Sequence, residues 1–270
     1  MSRIAFFSIP AHGHTNPTVE VVRTLAARGH RVRYYSFEEF RARLEGAGAE
    51  FVPCDSYLPP APRDVERRIG RDFASLIGMV VDVTVAMEEQ VLGELAAFRP
   101  HCIVADSLCI WGKLYAERLG VPLVCSTTTF AFDQETARGM RPRPGELLRT
   151  LAGVPRIGKK LALLRAHGYR AEKLTDLIQN DSGTDTIVYT SRAFQPGGER
   201  FGERVAFVGP VLPELPAPAE RGNRPLIYVS LGTVMNRNAR FYRNCAEALG
   251  GGPWDLSLIH ISEPTRLDVI

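Results

Sequence analysis

The sequence predicts an α/β fold built on a parallel sheet. Short apolar runs alternate along the chain with amphipathic segments of helical periodicity, and a glycine closes several of these segments, as at Gly29, Gly48 and Gly120. Parallel strands need a crossover connection, and a helix is the usual one. Strands that alternate with helices over short loops therefore indicate βαβ units and a Rossmann-like sheet.

The elements are expected in strict alternation over the first two hundred residues. Strands are predicted at 3–9, 31–36, 50–53, 102–105, 121–126, 186–190 and 205–208. Helices are predicted at 15–28, 38–47, 110–119 and from a Pro-rich loop at 55–63 to about residue 98. Residues 127–180 have helical character, with interruptions at 141–144 and Gly158. Thr15 or Asn16 would cap the first helix, with Pro17 in its first turn.

A change of pattern near residue 209 predicts a domain boundary. Residues 1–208 form the first domain, and the Pro-rich stretch 209–224 is a linker. Residues 225–256 return to strand, turn and helix, which is the first βα unit of a second Rossmann-like domain. Residues 257–270 match no element, so we expect a truncated chain with an artefactual tail; the alternative is a genuine frayed terminus.

Composition and charge narrow the class of protein. With 45% apolar and 23% charged residues among 270, the chain can bury a core, and a net charge of +3 with scattered arginines gives no case for nucleic acid. Five cysteines without a C-x-x-C pair predict reduced thiols in a cytoplasmic protein. The apolar segment 73–98 carries four acidic residues, so it is not a membrane span. No spacing of ligands predicts a metal site, and the oligomeric state stays open.

A polar corner joins the first predicted strand to the first predicted helix, at the edge where ligands bind in such sheets. It reads A-H-G-H-T-N-P over residues 11–17, and its single glycine argues against a dinucleotide. His14 stands in front of a helix N-terminus, which favours the neutral imidazole, so we expect a general base. Gly13 and Asn16 are candidate substrate-binding residues, although a backbone turn and a helix cap are sufficient reasons for them. His12 is expected to be only a turn residue.

A carboxylate that could support this base follows the fourth predicted strand. Asp106 lies at the same sheet edge as His14, and adjacent strand ends can bring the two within hydrogen-bond reach. A carboxylate there would orient the imidazole and balance its charge after proton transfer. Spacing alone leaves an alternative equally open, in which Asp106 or Ser107 only caps the next helix.

A second candidate site lies in the later strand–turn–helix unit. The segment P-L-I-Y-V-S-L-G-T-V, residues 225–234, runs from a strand into a glycine-containing turn. Backbone N–H groups and hydroxyls in such a turn suit a diphosphate, so Ser230, Gly232 and Thr233 are candidate substrate-binding residues. No G-x-S-x-G pattern predicts a nucleophilic serine.

Three segments together resemble the macrolide glycosyltransferases, a family of the UDP-dependent glycosyltransferase superfamily with GT-B fold. They are FFSIPAHGHTNPTVEVVRTLAARGHRVRYYS at 6–36, IVADSLCIWGKLYAERLGVPLVCSTTTFA at 103–131 and PLIYVSLGTVMNRNARFYRNCAEALGGGPWDL at 225–256. The likeness runs from Arg3 to about Leu256, and the ordered combination is far more specific than any one segment.

The resemblance implies two Rossmann-like domains facing across a cleft, the first for the acceptor and the second for the nucleotide sugar. The family's catalytic histidine, in its G-H-x-N-P motif, falls on His14, and its supporting aspartate falls on Asp106. The turn 230–233 matches a donor-phosphate contact. The implied reaction is inverting transfer of a hexose from a UDP-sugar to an acceptor hydroxyl, with no metal or other cofactor.

The chain departs from the family beyond Leu256, because the His-Gly-Gly-containing donor motif and the residues that hold the sugar are missing. We therefore expect an acceptor site with half of the catalytic machinery, inactive on its own. The apolar content of 73–87 and 130–170 suggests a hydrophobic small-molecule acceptor of macrolide, polyketide or flavonoid type, although most of these residues are core. The alternatives are a non-catalytic small-molecule-binding module and a sugar-nucleotide epimerase of related fold.

Overall fold

The computed structural model describes residues 1–58, 73–132, 135, 144–173, 177, 183–211, 224–232 and 238–259. The chain divides into two compact units, Met1–Leu212 and Pro213–Ile270. The boundary between the units falls inside the predicted linker 209–224, most of which lies outside the described residues.

The first unit is built on a seven-stranded sheet. Its strands are β1 Arg3–Phe7, β2 Arg31–Ser36, β3 Glu50–Pro53, β4 Cys102–Asp106, β5 Leu123–Thr127, β6 Asp185–Val188 and β7 Val205–Phe207. The spatial order is β3-β2-β1-β4-β5-β6-β7, and every neighbouring pair is parallel. The prediction of an α/β protein with a Rossmann-like parallel sheet is confirmed.

Helices connect these strands. In the described part of the first unit they are α1 His12–Ala27, α2 Arg41–Glu45, α3 Phe73–Phe98, α4 Ile110–Leu119 and α5 Pro144–Ala166. Short 3₁₀ turns at Glu38–Phe40, Asp55–Tyr57 and Gly198–Arg200 complete the connections. None of the described helices has the length and apolar character needed to cross a bilayer.

The sheet is buried on both faces, as its near-continuous apolar strands require. Alternate residues of β1 serve opposite sides: Phe6 belongs to the core cluster beneath α1 and α2, whereas Phe7 belongs to the cluster beneath α3, α4 and α5. The register extends this pattern to β2, because Phe6 stacks on Tyr34 at 5.4 Å and Phe7 on Tyr35 at 4.6 Å between ring centroids. The two clusters hold the strand ends of β1 and β2 in fixed positions.

Helix α1 begins three residues earlier than predicted, at His12 rather than Thr15. The N–H groups of His14 and Thr15 both donate to the carbonyl of Ala11, at 2.9 Å each, and close the first turn there. Ala11 is the N-cap and forms no side-chain cap hydrogen bond. The prediction that Thr15 or Asn16 caps this helix is therefore wrong, and Pro17 lies in the second turn rather than the first.

Helix α5 is continuous where the sequence predicted an interruption at Gly158. Buried Ile157, Leu161 and Leu164 lie on its core-facing side and join the same apolar cluster as α3. An interior glycine costs a helix about 1 kcal/mol, which this burial outweighs. Of the interruption predicted at 141–144, residues 141–143 lie outside the described residues, and Pro144 is the first residue of α5.

The second unit contains a strand, a helix and a further strand in its described part: β8 Leu226–Ser230, α6 Ala239–Leu249 and β9 Asp255–Ile259. The strands pair in parallel, from Leu226 opposite Asp255 to Ser230 opposite Ile259. Strand β9 was not predicted, and it runs across residue 256, beyond which the sequence showed no element. Residues 260–270 lie outside the described part of the chain.

Candidate active site

The candidate site lies at the carboxyl edge of the first unit's sheet, where the strand order changes direction between β1 and β4. Ligands bind at such switch points in doubly wound sheets because the loops there diverge. Helix α1 starts five residues after β1 ends and carries His14 in its first turn. Asp106 is the last residue of β4. Parallel pairing of β1 with β4 brings these two elements side by side.

The structure brings His14 and Asp106 into direct contact. The Nδ1 atom of His14 lies 2.7 Å from Oδ2 of Asp106, and the side chains are 15% and 1% exposed. An ionised carboxylate can only accept, so the neutral imidazole carries its proton on Nδ1. Its Nε2 is left with a free lone pair, which is the arrangement a general base needs.

Asp106 does not cap helix α4. The N-cap of that helix is Cys109, which makes no side-chain cap hydrogen bond. Asp106 instead accepts the N–H of Leu108 on Oδ1 at 2.8 Å, which is an Asx turn, and turns Oδ2 to His14. Of the two roles that spacing left open for Asp106, the structure shows contact with His14, and Ser107 is not the cap either.

Thr128 completes the contact and was missed by the sequence analysis. Its Oγ1 lies 2.8 Å from Nδ1 of His14 and 3.4 Å from Oδ2 of Asp106. No sequence signal distinguishes Thr128 from Thr127 and Thr129, because its approach to Asp106 depends on the parallel pairing of Asp106 with Ser126, which only the sheet shows.

The other predicted residues of the corner have separate positions. Gly13 is exposed, and a Cβ added there would meet nothing within 4 Å. Its φ is not positive, so the turn that was expected to require glycine is absent. The Oδ1 of Asn16 accepts a hydrogen bond from the guanidinium of Arg43 on α2. His12 lies in the first helical turn, with its ring edge-on to Phe40 at 5.1 Å.

The phosphate turn predicted at 230–233 belongs to the second unit. The Oγ of Ser230 accepts the N–H of Gly232 at 3.1 Å, and the N–H of Leu231 donates to the hydroxyl of Tyr242 at 3.1 Å. Gly232 has a φ of 74°, which a side chain would strain. Thr233 lies outside the described residues. The described part of the turn, residues 230–232, is held by these hydrogen bonds, and its contact with a phosphate stays a prediction.

A tyrosine lies next to the carboxylate site without competing for its role. The hydroxyl of Tyr189 is 3.1 Å from Oγ of Ser126, the register partner of Asp106. Burial, and secondly the charge of Asp106, raise the pKa of Tyr189, so its hydroxyl stays protonated near neutral pH. No group of three His, Cys, Asp or Glu side chains suited to a metal occurs in the described ranges.

Two exposed aromatic rings lie side by side, Phe130 from the loop after β5 and Phe194 from the loop after β6. They are 42% and 71% exposed, with centroids 5.6 Å apart. The neighbouring buried side chain of Gln195 accepts the N–H of Ala131 on Oε1 at 2.8 Å, and its Nε2 donates to the carbonyl of Ala131 at 3.1 Å. The loop after β5 therefore presents apolar surface on a firmly held backbone.

Known proteins with similar sequences are glycosyltransferases. The chain is 31% identical over 271 residues to demethyllactenocin mycarosyltransferase of Streptomyces fradiae, covering 96% of the chain and 59% of that protein. It is 33% identical over 264 residues to the NDP-glycosyltransferase YjiC of Bacillus licheniformis, covering 94% and 64%. Oleandomycin glycosyltransferase of Streptomyces antibioticus is 30% identical over 271 residues, covering 95% and 60%. No protein-family model matches the chain.

Solved structures that resemble the chain are also glycosyltransferases. The kitacinnamycin glycosyltransferase superposes with a TM-score of 0.77 and 26% identity, over 95% of the chain and 65% of that structure. The calicheamicin glycosyltransferase CalG4 gives 0.65 and 29%, over 96% and 64%.

The resemblance to the macrolide glycosyltransferases is confirmed by these comparisons: the curated homologues of the chain are macrolide and NDP-glycosyltransferases, and the similar solved structures are glycosyltransferases of GT-B fold. The chain spans about three fifths of the length of these curated relatives.

Proposed function

We propose that the chain supplies the acceptor site and the catalytic base of an inverting glycosyltransferase, which moves a hexose from a UDP-sugar to a hydroxyl of a hydrophobic small molecule. One observation carries the proposal: His14 contacts a nearly inaccessible Asp106 at 2.7 Å, at the ligand-binding edge of the sheet. A histidine that needed only to pack would not require a buried carboxylate on Nδ1.

In the proposed reaction the acceptor hydroxyl gives its proton to Nε2 of His14. The acceptor oxygen attacks the anomeric carbon of the sugar, the bond from that carbon to the diphosphate breaks with its electron pair leaving on the diphosphate oxygen, and the configuration inverts. Asp106 holds the ring in the correct tautomer and stabilises the imidazolium. A positioned general base contributes roughly 10²–10⁴-fold to such a step.

The donor is assigned to the second unit. We propose that Ser230, Gly232 and Thr233 contact its phosphates, and that charge on the leaving group is stabilised by N–H groups and hydroxyls without a metal ion. The donor motif of the family is missing from this sequence, so we expect no transfer by the chain alone.

A hydrophobic acceptor is supported by two findings. Phe130 and Phe194 expose apolar rings on the loops near Thr128. Two of the relatives are named for macrolide antibiotics or their precursors, demethyllactenocin and oleandomycin. An acceptor with a flat or apolar surface would gain binding free energy by covering these exposed aromatic rings.

The test compares His14→Ala with His12→Ala in the full-length protein. Product is measured by mass spectrometry with a UDP-sugar and a macrolide, and donor binding by calorimetry. We expect His14→Ala to lower transfer by about 100-fold or more while donor affinity changes little. His12→Ala is the control, because it removes a ring from the same turn of α1 as His14, one that packs on Phe40. This variant should keep most of the transfer activity.

Other outcomes identify the alternatives. Retained turnover in His14→Ala would overturn the assignment of the base. Macrolide binding without any donor-dependent product would indicate a binding module. Free UDP and an epimerised sugar without acceptor would indicate an epimerase.

A further inference from the structure

We propose that Thr128 is a positioning residue, the third member of a hydrogen-bonded group that fixes the imidazole of His14 against Asp106. The inference rests on the proposed function for its catalytic meaning, because it takes His14 as the base. Its structural content stands on three atoms, Nδ1 of His14, Oδ2 of Asp106 and Oγ1 of Thr128, which lie within 2.7–3.4 Å of one another.

The protons of this group have one consistent arrangement. The carboxylate of Asp106 accepts only, so the proton between it and His14 is on Nδ1. That N–H faces two acceptors, Oδ2 at 2.7 Å and Oγ1 of Thr128 at 2.8 Å, and is shared between them. The hydroxyl proton of Thr128 is then free to point at Oδ2, at 3.4 Å.

The group limits how the imidazole can move. One hydrogen bond to a single oxygen leaves a ring free to swing about that oxygen, whereas two acceptors on the same N–H restrict the swing. Asp106 cannot turn with the ring, because its Oδ1 is held by the N–H of Leu108. Thr128 therefore supplies the second fixed point that sets the direction of Nε2.

Thr128 is itself firmly placed. Strand β5 is held on both sides just before it: Ser126 accepts the N–H of Ser107 at 3.0 Å, and Thr127 accepts the N–H of Tyr189 at 3.2 Å. Three residues later, Gln195 bonds both the N–H and the carbonyl of Ala131. A threonine between two anchored points can hold a catalytic side chain better than one on a free loop.

The test follows the Nδ1 proton of His14 by NMR in the chain labelled with ¹⁵N-histidine, without substrates. The signal is assigned by its loss in His14→Ala. We expect Thr128→Val to speed exchange of this proton with water about fivefold, the factor that one lost neutral hydrogen bond corresponds to. Thr128→Ser, which keeps the hydroxyl, should stay within about twofold of the original rate.

Thr129→Val is the matched control. Thr129 is exposed, and its hydroxyl donates to the carbonyl of Phe130 at 3.4 Å, away from the group formed by His14 and Asp106. Unchanged exchange in Thr128→Val, or equal effects in Thr128→Val and Thr129→Val, would overturn the positioning role. If Thr128→Val does not fold, loss of protection in Thr128→Ser would still contradict it, since the hydroxyl is present there.

The measurement separates this inference from the proposed function. If His14→Ala abolishes transfer while Thr128→Val leaves the Nδ1 proton unchanged, the base is correct and the positioning role is wrong. If His14→Ala keeps transfer while Thr128→Val exposes the proton, the positioning of the ring is correct and the base is wrong.

Discussion

At the scale of single residues, two buried polar side chains near the site, Asp106 and Gln195, each use both of their polar atoms. Asp106 gives one oxygen to a backbone N–H and the other to His14. Gln195, 3% exposed, uses both its carbonyl and its amide on Ala131. Such double use satisfies buried polar groups and also ties loops together, so the loss of one side chain leaves several backbone atoms without partners.

The Gln195→Leu variant tests whether the doubly bonded amide stabilises the fold. The change leaves the N–H and the carbonyl of Ala131 unpaired in a residue that is 1% exposed. We expect the free energy of unfolding of the chain, measured in urea by circular dichroism, to fall by about 2 kcal/mol. Gln90→Leu on α3 removes an exposed side chain whose amide donates to Glu94, and it should change this free energy by less than about 0.5 kcal/mol. Equal effects would contradict the role of the buried amide.

At the scale of elements, helix α4 packs unusually close to the sheet that carries Asp106. A Cβ built on Gly112 would come within 2.6 Å of Cβ of Ala105 and 3.2 Å of Cβ of Phe7. Gly93, in the exposed side of α3, would meet nothing within 4 Å. The two glycines therefore differ in their structural role: Gly112 permits close packing of α4 on the sheet, whereas nothing in the structure requires a glycine at position 93.

Alanine at these two positions should act with opposite sign. In both, alanine favours the helix by about 1 kcal/mol. At Gly112 the added methyl overpacks the core, which costs about 1–3 kcal/mol, so we expect a net loss and a displaced Asp106. Gly93→Ala should raise the free energy of unfolding by about 0.5–1 kcal/mol. Urea unfolding of the two variants checks this, and stabilisation by Gly112→Ala would show that α4 lies further from the sheet.

At the scale of the whole molecule, the core holds several groups that must stay protonated. Burial raises the pKa of the Cys54 thiol to about 12, and raises that of Cys109 as well. Burial also raises the pKa values of the hydroxyls of Tyr34 and Tyr115. In the unfolded chain these groups ionise near pH 8.5 for cysteine and pH 10 for tyrosine.

The sign of the pH effect follows. A pKa that is higher in the folded state contributes stability that is complete below the unfolded pKa and is lost as pH rises towards the folded value. We expect the free energy of unfolding, measured in urea, to fall steadily from about pH 8.5 upwards, by up to about 1.4 kcal/mol per pH unit for each buried thiol, so that the urea midpoint falls too. Cys54→Ala should start less stable but lose stability less steeply. Constant midpoints from pH 8 to 10 would contradict this.

Much of the fold was readable from the sequence because it depends on neighbours along the chain. The 2.0 and 3.6 periods set the strands and helices of the first unit, and their alternation set the parallel sheet. Predictions failed at α1, where the helix starts at His12 behind an N-cap, Ala11, that has no capping side chain, and at α5, where packing outweighed the cost of Gly158. Strand β9 was not predicted because its five residues are too short a segment to identify as a strand until their pairing with β8 is known.

The sequence by itself determined the α/β class, the edge of the sheet on which His14 and Asp106 lie, and the choice of these two residues as the candidate base and its carboxylate. Only the tertiary structure decided that Asp106 faces His14 instead of capping a helix, and that Thr128 joins them. The reason is distance along the chain: 92 residues separate Asp106 from His14, and 114 separate Thr128 from it. Which side chains meet across such separations is set by strand order and register, and those depend on packing of the whole sheet.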